Sequence, residues 1–451
     1  MTLNRQILRL AIPSILANIT IPLVGLVDTA IVGHIADAAI IGGIAIGTML
    51  FDLLYWNFGF LRVGTSGMTA QAYGRGDKDE CSTLLAQSLA ITAAATAFIW
   101  LIQWLFVTVA LACIPCSEAV SDFARSYFYI RIWAAPATLA LMALKGWFIG
   151  MQDTVSPMAC DIVVNVVNMA ASYILAVHTP LGAIGVAYGT VIAQFTGLLL
   201  AIVIIAAKYT DYIQAFSRIK DVIRWHKLRR LLVLNGNLFV RSLCFMIVYV
   251  GFTSISSRYG DDMLALSSIL MKLFMLFSYF VDGFAYAGEA LVGKWFGQKQ
   301  TGEADNKELD RLVKLLFNWS LGVGLVFTLI YAGWGRECVQ LMTDDAVLLG
   351  ALPPFMPWLI AMPIISTLAF MWDGIYIGAT AGKQIRDAMI WAAVGFVVSY
   401  VALYKICDIQ ALYIAYFVHL AARVIYLTIG WSVFKKREIN NLTDITHKVE
   451  G

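Results

Sequence analysis

The chain has 451 residues, of which 60% are hydrophobic and 14% are charged. Soluble domains draw about a quarter of their residues from Asp, Glu, Lys and Arg, so this composition excludes a water-soluble globular protein. It predicts an exterior that faces lipid, and the mean hydropathy of +0.77 agrees. The net charge of +3 is too small to indicate a nucleic-acid partner.

Apolar runs long enough to cross a bilayer follow one another along the chain. A spanning helix needs about 20 consecutive, mostly apolar residues, and polar breaks separate the runs. The predicted spans, numbered 1 to 12, are 8–33, 40–66, 84–113, 122–149, 156–178, 183–207, 231–256, 263–291, 311–333, 349–378, 387–406 and 409–434. The runs are continuous rather than alternating, which excludes a transmembrane β-barrel. We therefore predict an all-α integral membrane protein with twelve transmembrane helices.

Lysine and arginine collect in alternate breaks between the spans. The breaks after spans 2, 6, 8 and 10 and the end of the chain hold several each, whereas the opposite breaks hold single residues or none. Basic residues favour cytoplasmic loops. We therefore expect a multi-pass protein with both termini in the cytoplasm, which requires an even number of spans.

The two halves of the chain repeat short motifs in the same order. Lys145–Gly150 near the end of span 4 corresponds to Asp373–Gly378 near the end of span 10, and glycine-rich stretches end spans 2 and 8 at Gly74 and Gly297. Such self-similarity indicates a parallel duplication, with a cleft between two six-helix lobes as the natural ligand site. The predicted domains are an N-terminal lobe at 1–207, a basic cytoplasmic linker at 208–230, a C-terminal lobe at 231–434 and a cytoplasmic tail at 435–451.

Asp28 is the ionisable residue that stands out in span 1, because apolar residues flank it on both sides. A charge in hydrocarbon is costly, so it should face a bundle interior or a water-filled cavity. A carboxylate of adjustable proton affinity is what a proton-coupled carrier needs. Pro13 and Pro22 each remove a backbone hydrogen bond from the same helix and predict kinks. The alternative is that Asp28 only pairs structurally with a polar neighbour.

Other ionisable residues also interrupt the apolar runs. They are Asp52, Arg131, Lys145, Asp161, Arg241, Lys272, Asp282, Glu289, Asp373, His419 and Arg423. Several lie near span ends and could extend to the interface instead of acting inside the protein. We expect Asp28 to be isolated in the first half, and the charges of the second half to be paired.

Asp282 and Glu289 are two helical turns apart and share one face of span 8. They either form part of a cytoplasm-side pathway or pair with Arg241 or neighbouring backbone.

Cys113 and Cys116 form a CxxC pair that is compatible with a disulfide or with two small residues at a helix end.

The stretch from Pro13 through Pro22–Gly33 resembles the first helix of MATE (multidrug and toxic compound extrusion) transporters. Asn235–Arg241 and Asp282–Gly293 are similar to the DinF-like branch of that family. The resemblance covers nearly the whole chain. It implies a V-shaped pair of six-helix lobes in a bacterial inner membrane that export organic, often cationic, compounds in exchange for H⁺ or Na⁺. It implies neither enzymatic activity nor a bound cofactor or metal.

The resemblance further implies a proton site in the N-terminal lobe. Carried over by motif, its aspartate is Asp28, its kink proline is Pro13, and its partners are Asn168 and Thr190. This chain departs from the pattern at Ser172, where the family has a second aspartate. Asp28 would then carry the coupling alone, with Asn168, Ser172 and Thr190 as hydrogen-bonding partners.

A sodium-coupled mechanism is the first alternative. Acidic residues in spans 7 and 10 hold the ion in the sodium-coupled branch. Span 7 here offers Asn235 and Arg241 but no acid, which leaves Asp373 in span 10. These residues, with Asp282 and Glu289, form a candidate polar site in the C-terminal lobe.

Two further classes remain as alternatives to an H⁺-driven antiporter. A lipid-linked precursor flippase would need several cationic residues in its central cleft, and the candidates are Arg131, Lys145, Arg241, Lys272 and Arg423. A membrane enzyme is disfavoured because the five histidines are dispersed over different loops and spans. We expect a monomer whose partners are small organic molecules and the lipid bilayer.

Overall fold

The computed structural model describes residues 2–35, 38–114, 116–218 and 222–450, and no strand occurs among them. Eleven helical stretches in this part of the chain are long and apolar enough to cross a membrane. Helix α1, Leu3–Ile35, precedes them. Together they correspond one to one with the predicted runs, so the all-α integral membrane fold is confirmed.

The α-helices follow the predicted spans in chain order. Their bounds are α1 (Leu3–Ile35), α2 (Ala38–Trp56), α3 (Phe60–Gly74), α4 (Lys78–Cys113), α5 (Glu118–Arg131), α6 (Ala135–Gly150), α7 (Val155–Val177), α8 (Gly185–Lys208), α9 (Trp225–Ser256), α10 (Asp261–Gln300), α11 (Asn306–Gln340), α12 (Ala346–Ala351), α13 (Met356–Gly378), α14 (Gly382–Cys407) and α15 (Gln410–Glu450).

Three predicted spans are each built from two helices instead of one. Span 2 divides between α2 and α3 at a short turn that contains Gly59. Span 4 passes through a 3₁₀ turn just before Pro136, and span 10 through a 3₁₀ turn that contains Pro353 and Pro354. Proline has no N–H and its ring crowds the preceding turn, so the breaks in spans 4 and 10 follow from the sequence.

The ends of several helices differ from the predicted bounds. Helix α9 begins at Trp225, inside the predicted linker, of which residues 219–221 lie outside the described part. Helix α15 continues through the predicted tail to Glu450, because no proline or glycine interrupts the chain between residues 435 and 450. Pro13 and Pro22 both lie inside the continuous helix α1, and the kinks at these residues stay a prediction.

The chain divides into two compact units. The N-unit comprises Leu16–Thr69 and Asp77–Leu232, and the C-unit comprises Met1–Ile15, Ala70–Gly76 and Val233–Gly451. The predicted division into lobes at 207 and 231 stays a prediction. Aromatic residues fill both interiors. Phe51 stacks on Phe128 at 4.9 Å in the N-unit, and Phe252 meets Tyr413 edge to face at 5.5 Å in the C-unit.

The repeated glycines make the same helix contact in each unit. In the N-unit, a Cβ on Gly146 would lie 2.1 Å from the carbonyl oxygen of Arg62, so only glycine lets α6 approach α3 there. In the C-unit, a Cβ on Gly374 would lie 2.4 Å from the carbonyl oxygen of Ala285, where α13 approaches α10. The predicted internal repeat is therefore visible in the packing.

A second pair of repeated glycines lies within the C-unit, where α3 ends beside α10. A Cβ on Gly74 would lie 2.1 Å from the carbonyl oxygen of Lys294, and a Cβ on Gly297 would lie 2.1 Å from that of Gln71. Each glycine thus faces the backbone carbonyl of the residue that stands three positions before the other glycine. The contact is reciprocal, as expected where two copies of one motif meet.

Candidate coupling site

The C-terminal half of α1 packs against α7 and α8 in the N-unit. Ile31 of α1 belongs to one buried apolar cluster with Ala176 of α7 and Val186 of α8, and Val27 packs against it. Asp28 lies one turn before Ile31, so this packing holds it at the boundary between α1 and its two neighbours.

Four polar residues form a stripe along one face of α7. They are Asp161, Asn165, Asn168 and Ser172, spaced by four, three and four residues, which places them on one side of a helix. Asn165 donates a hydrogen bond from Nδ2 to Oγ1 of Thr20 on α1, with the two atoms 2.5 Å apart. The stripe therefore faces α1 at this level.

Asn168 and Thr190 join α7 to α8 inside the N-unit. The Nδ2 of Asn168 donates to the Oγ1 of Thr190 at 3.0 Å, and that hydroxyl donates in turn to the carbonyl of Val186. Oδ1 of Asn168 has no partner among the described residues. Two predicted partners of Asp28 are thus bonded to each other, and one buried acceptor of Asn168 is left unused.

Ser172 lies beside the carboxyl group of Asp28. Its side chain is fully buried, and a Cβ on the facing Gly189 would lie 2.5 Å from its hydroxyl oxygen. Neither Oδ1 of Asp28 nor the Ser172 hydroxyl makes a well-aligned hydrogen bond within the described part of the chain. The half-buried carboxylate is thus incompletely satisfied.

Asp28 has no ion-pair partner among the described residues, and its expected isolation stays a prediction. The guanidinium of Arg131, at the end of α5, acts on it electrostatically and also acts on Asp52. Arg131 lies over the ring of Phe51, 4.7 Å from its centre, and reaches the hydroxyl of Tyr127 at 3.3 Å. The sequence identified Arg131 as an intramembrane charge but gave no signal that it lies near Asp28.

Asp373 is held by two arginines in the C-unit. Its Oδ2 accepts from Nη2 of Arg241 on α9 at 2.5 Å and from Nη2 of Arg423 on α15 at 2.7 Å. The expected pairing of charges in the second half is found here. The suggestion that Arg241 pairs with Asp282 or Glu289 is wrong, because its guanidinium bonds to Asp373 instead.

The remaining candidates of the C-unit lie on different helices. Asn235 of α9 is buried, and its Oδ1 has no hydrogen-bond partner among the described residues. Asp282 and Glu289 both lie on α10, where Glu289 is 1% exposed and Asp282 is half-buried. The structure therefore places Arg241 and Asp373 in contact and does not gather all five residues into one site.

Lys145 and Asp161 form an ion pair between α6 and α7. Both side chains are largely buried, so neither extends freely into the interface.

Cys113 and Cys116 are exposed free thiols. Within the described ranges, no group of three His, Cys, Asp or Glu residues has an arrangement that could hold a metal ion.

Asp153 organises the turn between α6 and α7. Its carboxylate accepts from Lys208 at 2.6 Å, from Tyr209 at 2.7 Å and from the hydroxyl and amide of Ser156. Burial raises the pKa of Asp153, but these hydrogen bonds outweigh burial and hold the pKa below its ordinary value of 3.8. The turn also requires a positive φ of 63° at Gln152, and Thr380 has a φ of 54° at the corresponding point of the second half.

Two bundles of apolar helices related by a repeat, each with charged groups in its interior, define a polytopic membrane transporter. The MatE family model matches residues 13–174 and again residues 238–404. The chain therefore belongs to the MATE family of transporters, whose members are not enzymes, and the two matches agree with the duplicated halves.

Relatives and solved structures support this assignment over most of the chain. The DNA damage-inducible protein F of Escherichia coli is 32% identical over 95% of this chain and 92% of its own length. A probable multidrug resistance protein NorM of Synechocystis is 23% identical, covering 71% and 70%. An outward-facing structure of a multidrug resistance MATE transporter superposes with a TM-score of 0.85 at 16% identity, covering 98% and 97%. The chain is thus a DinF-like MATE protein.

Proposed function

We propose that this transporter is an H⁺-coupled antiporter that exports organic, cationic or amphipathic compounds by alternating access between its two lobes. Asp28 is the proton carrier in this proposal, with Asn168, Ser172 and Thr190 as its polar surroundings. The observation that carries the proposal is the half-buried Asp28 carboxylate, whose Oδ1 lacks a hydrogen-bond partner among the described residues.

The surroundings of Asp28 support a role in proton exchange. A carboxylate that is fully bonded in one arrangement gains little from taking up a proton, whereas an incompletely bonded one responds to small changes in its neighbours. Arg131 stabilises the charged form of Asp28, and apolar packing around Ile31 opposes it. Movement of α1 relative to Arg131 would therefore bind or release the proton.

Sodium coupling receives less support in the C-unit. Oδ2 of Asp373 already accepts hydrogen bonds from Arg241 and Arg423. A sodium ion beside this carboxylate would therefore lie close to two positive charges in a largely buried site, which is unfavourable.

The flippase alternative also loses support. It requires free cationic residues to hold a pyrophosphate, but Lys145 is bound to Asp161, and Arg241 and Arg423 are bound to Asp373. Arg131 lies in the aromatic interior of the N-unit and acts on Asp28 and Asp52. Four of the five candidate cations thus interact with groups in their own units, and the fifth, Lys272, is exposed on α10.

The test is a transport measurement on the purified protein in proteoliposomes. Asp28→Asn should abolish substrate efflux driven by an imposed pH gradient while the protein still inserts and folds. The matched control is Asp52→Asn, which removes a second acid that acts on Arg131 and should leave efflux intact. Normal pH-driven efflux from the Asp28→Asn protein would refute the proposal.

The membrane and assembly state are part of the same proposal. The alternating basic breaks support an inner-membrane protein with both termini in the cytoplasm, acting as a monomer. Accessibility labelling of single cysteines introduced near each terminus in spheroplasts would test the topology. Labelling of either end from the periplasmic side would overturn it.

A further inference from the structure

Lys272 on α10 is a cation that interrupts an apolar span of the C-unit. Its side chain is exposed, and it makes neither an ion pair nor a hydrogen bond with any described residue. Arg241 and Arg423, which also interrupt predicted spans of this unit, are both bonded to Asp373. Lys272 is therefore a cation whose charge is uncompensated within the described part of the C-unit.

Lys272 lies too deep in its span to reach the membrane interface. Predicted span 8 begins at residue 263, and helix α10 begins at Asp261. Nine residues of helix rise about 14 Å, which the four-carbon stem of a lysine does not cover. A charge at that depth is costly unless it faces protein or a water-filled cavity. The exposed ammonium group therefore marks a face of α10 that meets water.

Lys272 belongs to a stripe of polar and aromatic residues along one face of α10. Its members are spaced by four, three, four, three and four residues, the repeat of a single helix face. They are Ser268, Lys272, Met275, Tyr279, Asp282 and Tyr286, none of which is buried. The opposite face supplies Phe274, Phe277 and Val281 to the apolar core. The stripe is thus turned away from the core of the C-unit.

The residues that follow Lys272 in the stripe are suited to contact an aromatic ring. Met275 and Tyr279 are three and seven residues further along, which places them roughly 5 and 10 Å from Lys272 along the helix axis. Methionine adapts to ligands of different shape, and tyrosine offers a rigid aromatic face. A ligand that contacts all three has an anionic group at one end and a ring at the other.

The single positive charge of Lys272 favours a ligand with a single negative charge. Asp282 lies ten residues away, about 15 Å along the helix axis, which exceeds the screening length at physiological ionic strength. Its carboxylate therefore neither neutralises Lys272 nor repels an anion held there. A pyrophosphate carries several charges and would need more cations than this face supplies.

We propose that the exposed face of α10 binds amphipathic organic compounds that carry one carboxylate or sulfonate group. Lys272 holds the anionic group through charge-assisted hydrogen bonds, and Met275 and Tyr279 contact the aromatic part of the same molecule. This inference rests on the proposed export of organic compounds, whose chemistry it narrows, but it does not depend on H⁺ coupling or on Asp28. Binding is therefore measured without transport.

The experiment measures equilibrium binding of radiolabelled naphthylacetate to the purified full-length protein in phosphatidylcholine nanodiscs. Empty nanodiscs correct for uptake of the probe by lipid. The wild type should bind the probe saturably. Unlabelled naphthalenesulfonate should displace the probe, whereas naphthylmethylamine, which has the same ring and a positive charge, should not.

Lys272→Gln should weaken binding of the probe about tenfold, because it removes the charge that pairs with the ligand. Lys272→Arg keeps the charge and should bind like the wild type. Lys299→Gln removes the same charge from the last turn of α10 and should change nothing. The thermal unfolding midpoint of Lys272→Gln should equal that of the wild type, since the side chain is exposed.

Four outcomes would overturn the proposal. They are absence of saturable binding to the wild type, equal binding to Lys272→Gln, equal displacement by the amine, and loss of binding when phosphatidylglycerol replaces part of the phosphatidylcholine. The last would assign Lys272 to lipid headgroups instead of organic solutes.

The Asp28→Asn protein separates this proposal from the proposed function. It should bind the probe like the wild type while its pH-driven efflux is lost. Intact binding together with normal efflux from Asp28→Asn would refute the proposed coupling alone. Absent binding together with efflux that depends on Asp28 would refute the anionic ligand alone.

Discussion

The N-unit and the C-unit use the same helix packing but treat their buried carboxylates differently. Asp28 in the N-unit has a serine beside it and an arginine acting on it, and one of its oxygens is unpaired within the described residues. Asp373 in the C-unit is bonded to two arginines. A duplicated architecture thus accommodates an incompletely bonded carboxylate in one unit and an ionic cluster in the other.

The largest expected effect concerns the packing that both units share. Gly146→Ala and Gly374→Ala would each place a Cβ within 2.4 Å of a backbone carbonyl, and each should destabilise the protein by about 4 kcal/mol or more. Thermal unfolding in detergent measures the loss. Gly322→Ala on α11, where a Cβ would meet no atom within 4 Å, should be tolerated. A large loss for only one of the two would show that the contacts are not equivalent.

The next effect separates the two carboxylates. Asp373→Asn should destabilise the protein by about 3–5 kcal/mol, because it leaves two buried guanidinium groups without their counter-charge. Asp28→Asn should change stability by less than about 1 kcal/mol, since Asp28 has no such bonded pair. Unfolding midpoints of both variants under identical conditions test the difference. Equal losses would remove the distinction between the units.

Acid sensitivity should follow a carboxylate that only the first half has at its version of a repeated turn. The carboxylate of Asp153 corresponds to Ala381 in the second half, at the spacing of 228 residues that relates Gly146 to Gly374. Because the folded state lowers the pKa of Asp153, its contribution is present above the ordinary value of 3.8 and is lost as the pH falls through the lower, folded value. We expect a contribution of about 1–2 kcal/mol.

The measurement is the unfolding midpoint as a function of pH between neutral and strongly acidic conditions. Asp153→Asn should have a lower midpoint at neutral pH and a weaker loss on acidification than the wild type. Asp211→Asn is the control, since the exposed pair of Asp211 and Lys78 should contribute nothing measurable. An unchanged acid profile in Asp153→Asn would contradict the assignment.

The smallest effect concerns the polar contact between α7 and α8. Asn168→Ala and Thr190→Ala should show a coupling energy of about 1 kcal/mol in a double-mutant cycle, the usual net value of a buried hydrogen bond. Unfolding free energies of the wild type, the single variants and the double variant give that number. Strictly additive losses would mean that the 3.0 Å contact has no energetic role.

Periodicity and composition predicted most of the fold. Apolar runs identified the spans, and the glycines at 146 and 374 identified the repeat, because close helix packing leaves a residue type visible in the sequence. The breaks in spans 4 and 10 were also foreseeable, from Pro136 and Pro353. The continuation of α15 through the polar tail was not, since hydropathy marks where a helix leaves the bilayer and not where the helix ends.

The sites were predictable only in part. The family resemblance named Asn168 and Thr190 as partners of Asp28, which stays a prediction, and did not foresee the hydrogen bond between them. The proximity of Arg131 to Asp28 and of Arg423 to Asp373 was not visible, because residues far apart in the sequence meet only through tertiary packing. Asn165 could have been found, since it stands at helical spacing with Asp161, Asn168 and Ser172 on α7.

The reciprocal contact of Gly74 and Gly297 restricts which substitutions either half can accept during evolution. Each copy of the motif lacks a side chain where the other copy presents a carbonyl, so neither half can accept a larger residue at that point without a compensating shift in its counterpart. The two halves could therefore diverge in charge, as at Asp153 and Ala381, but not in side-chain size at this contact. A hybrid that joins halves from two relatives should assemble only when both parents carry glycine there.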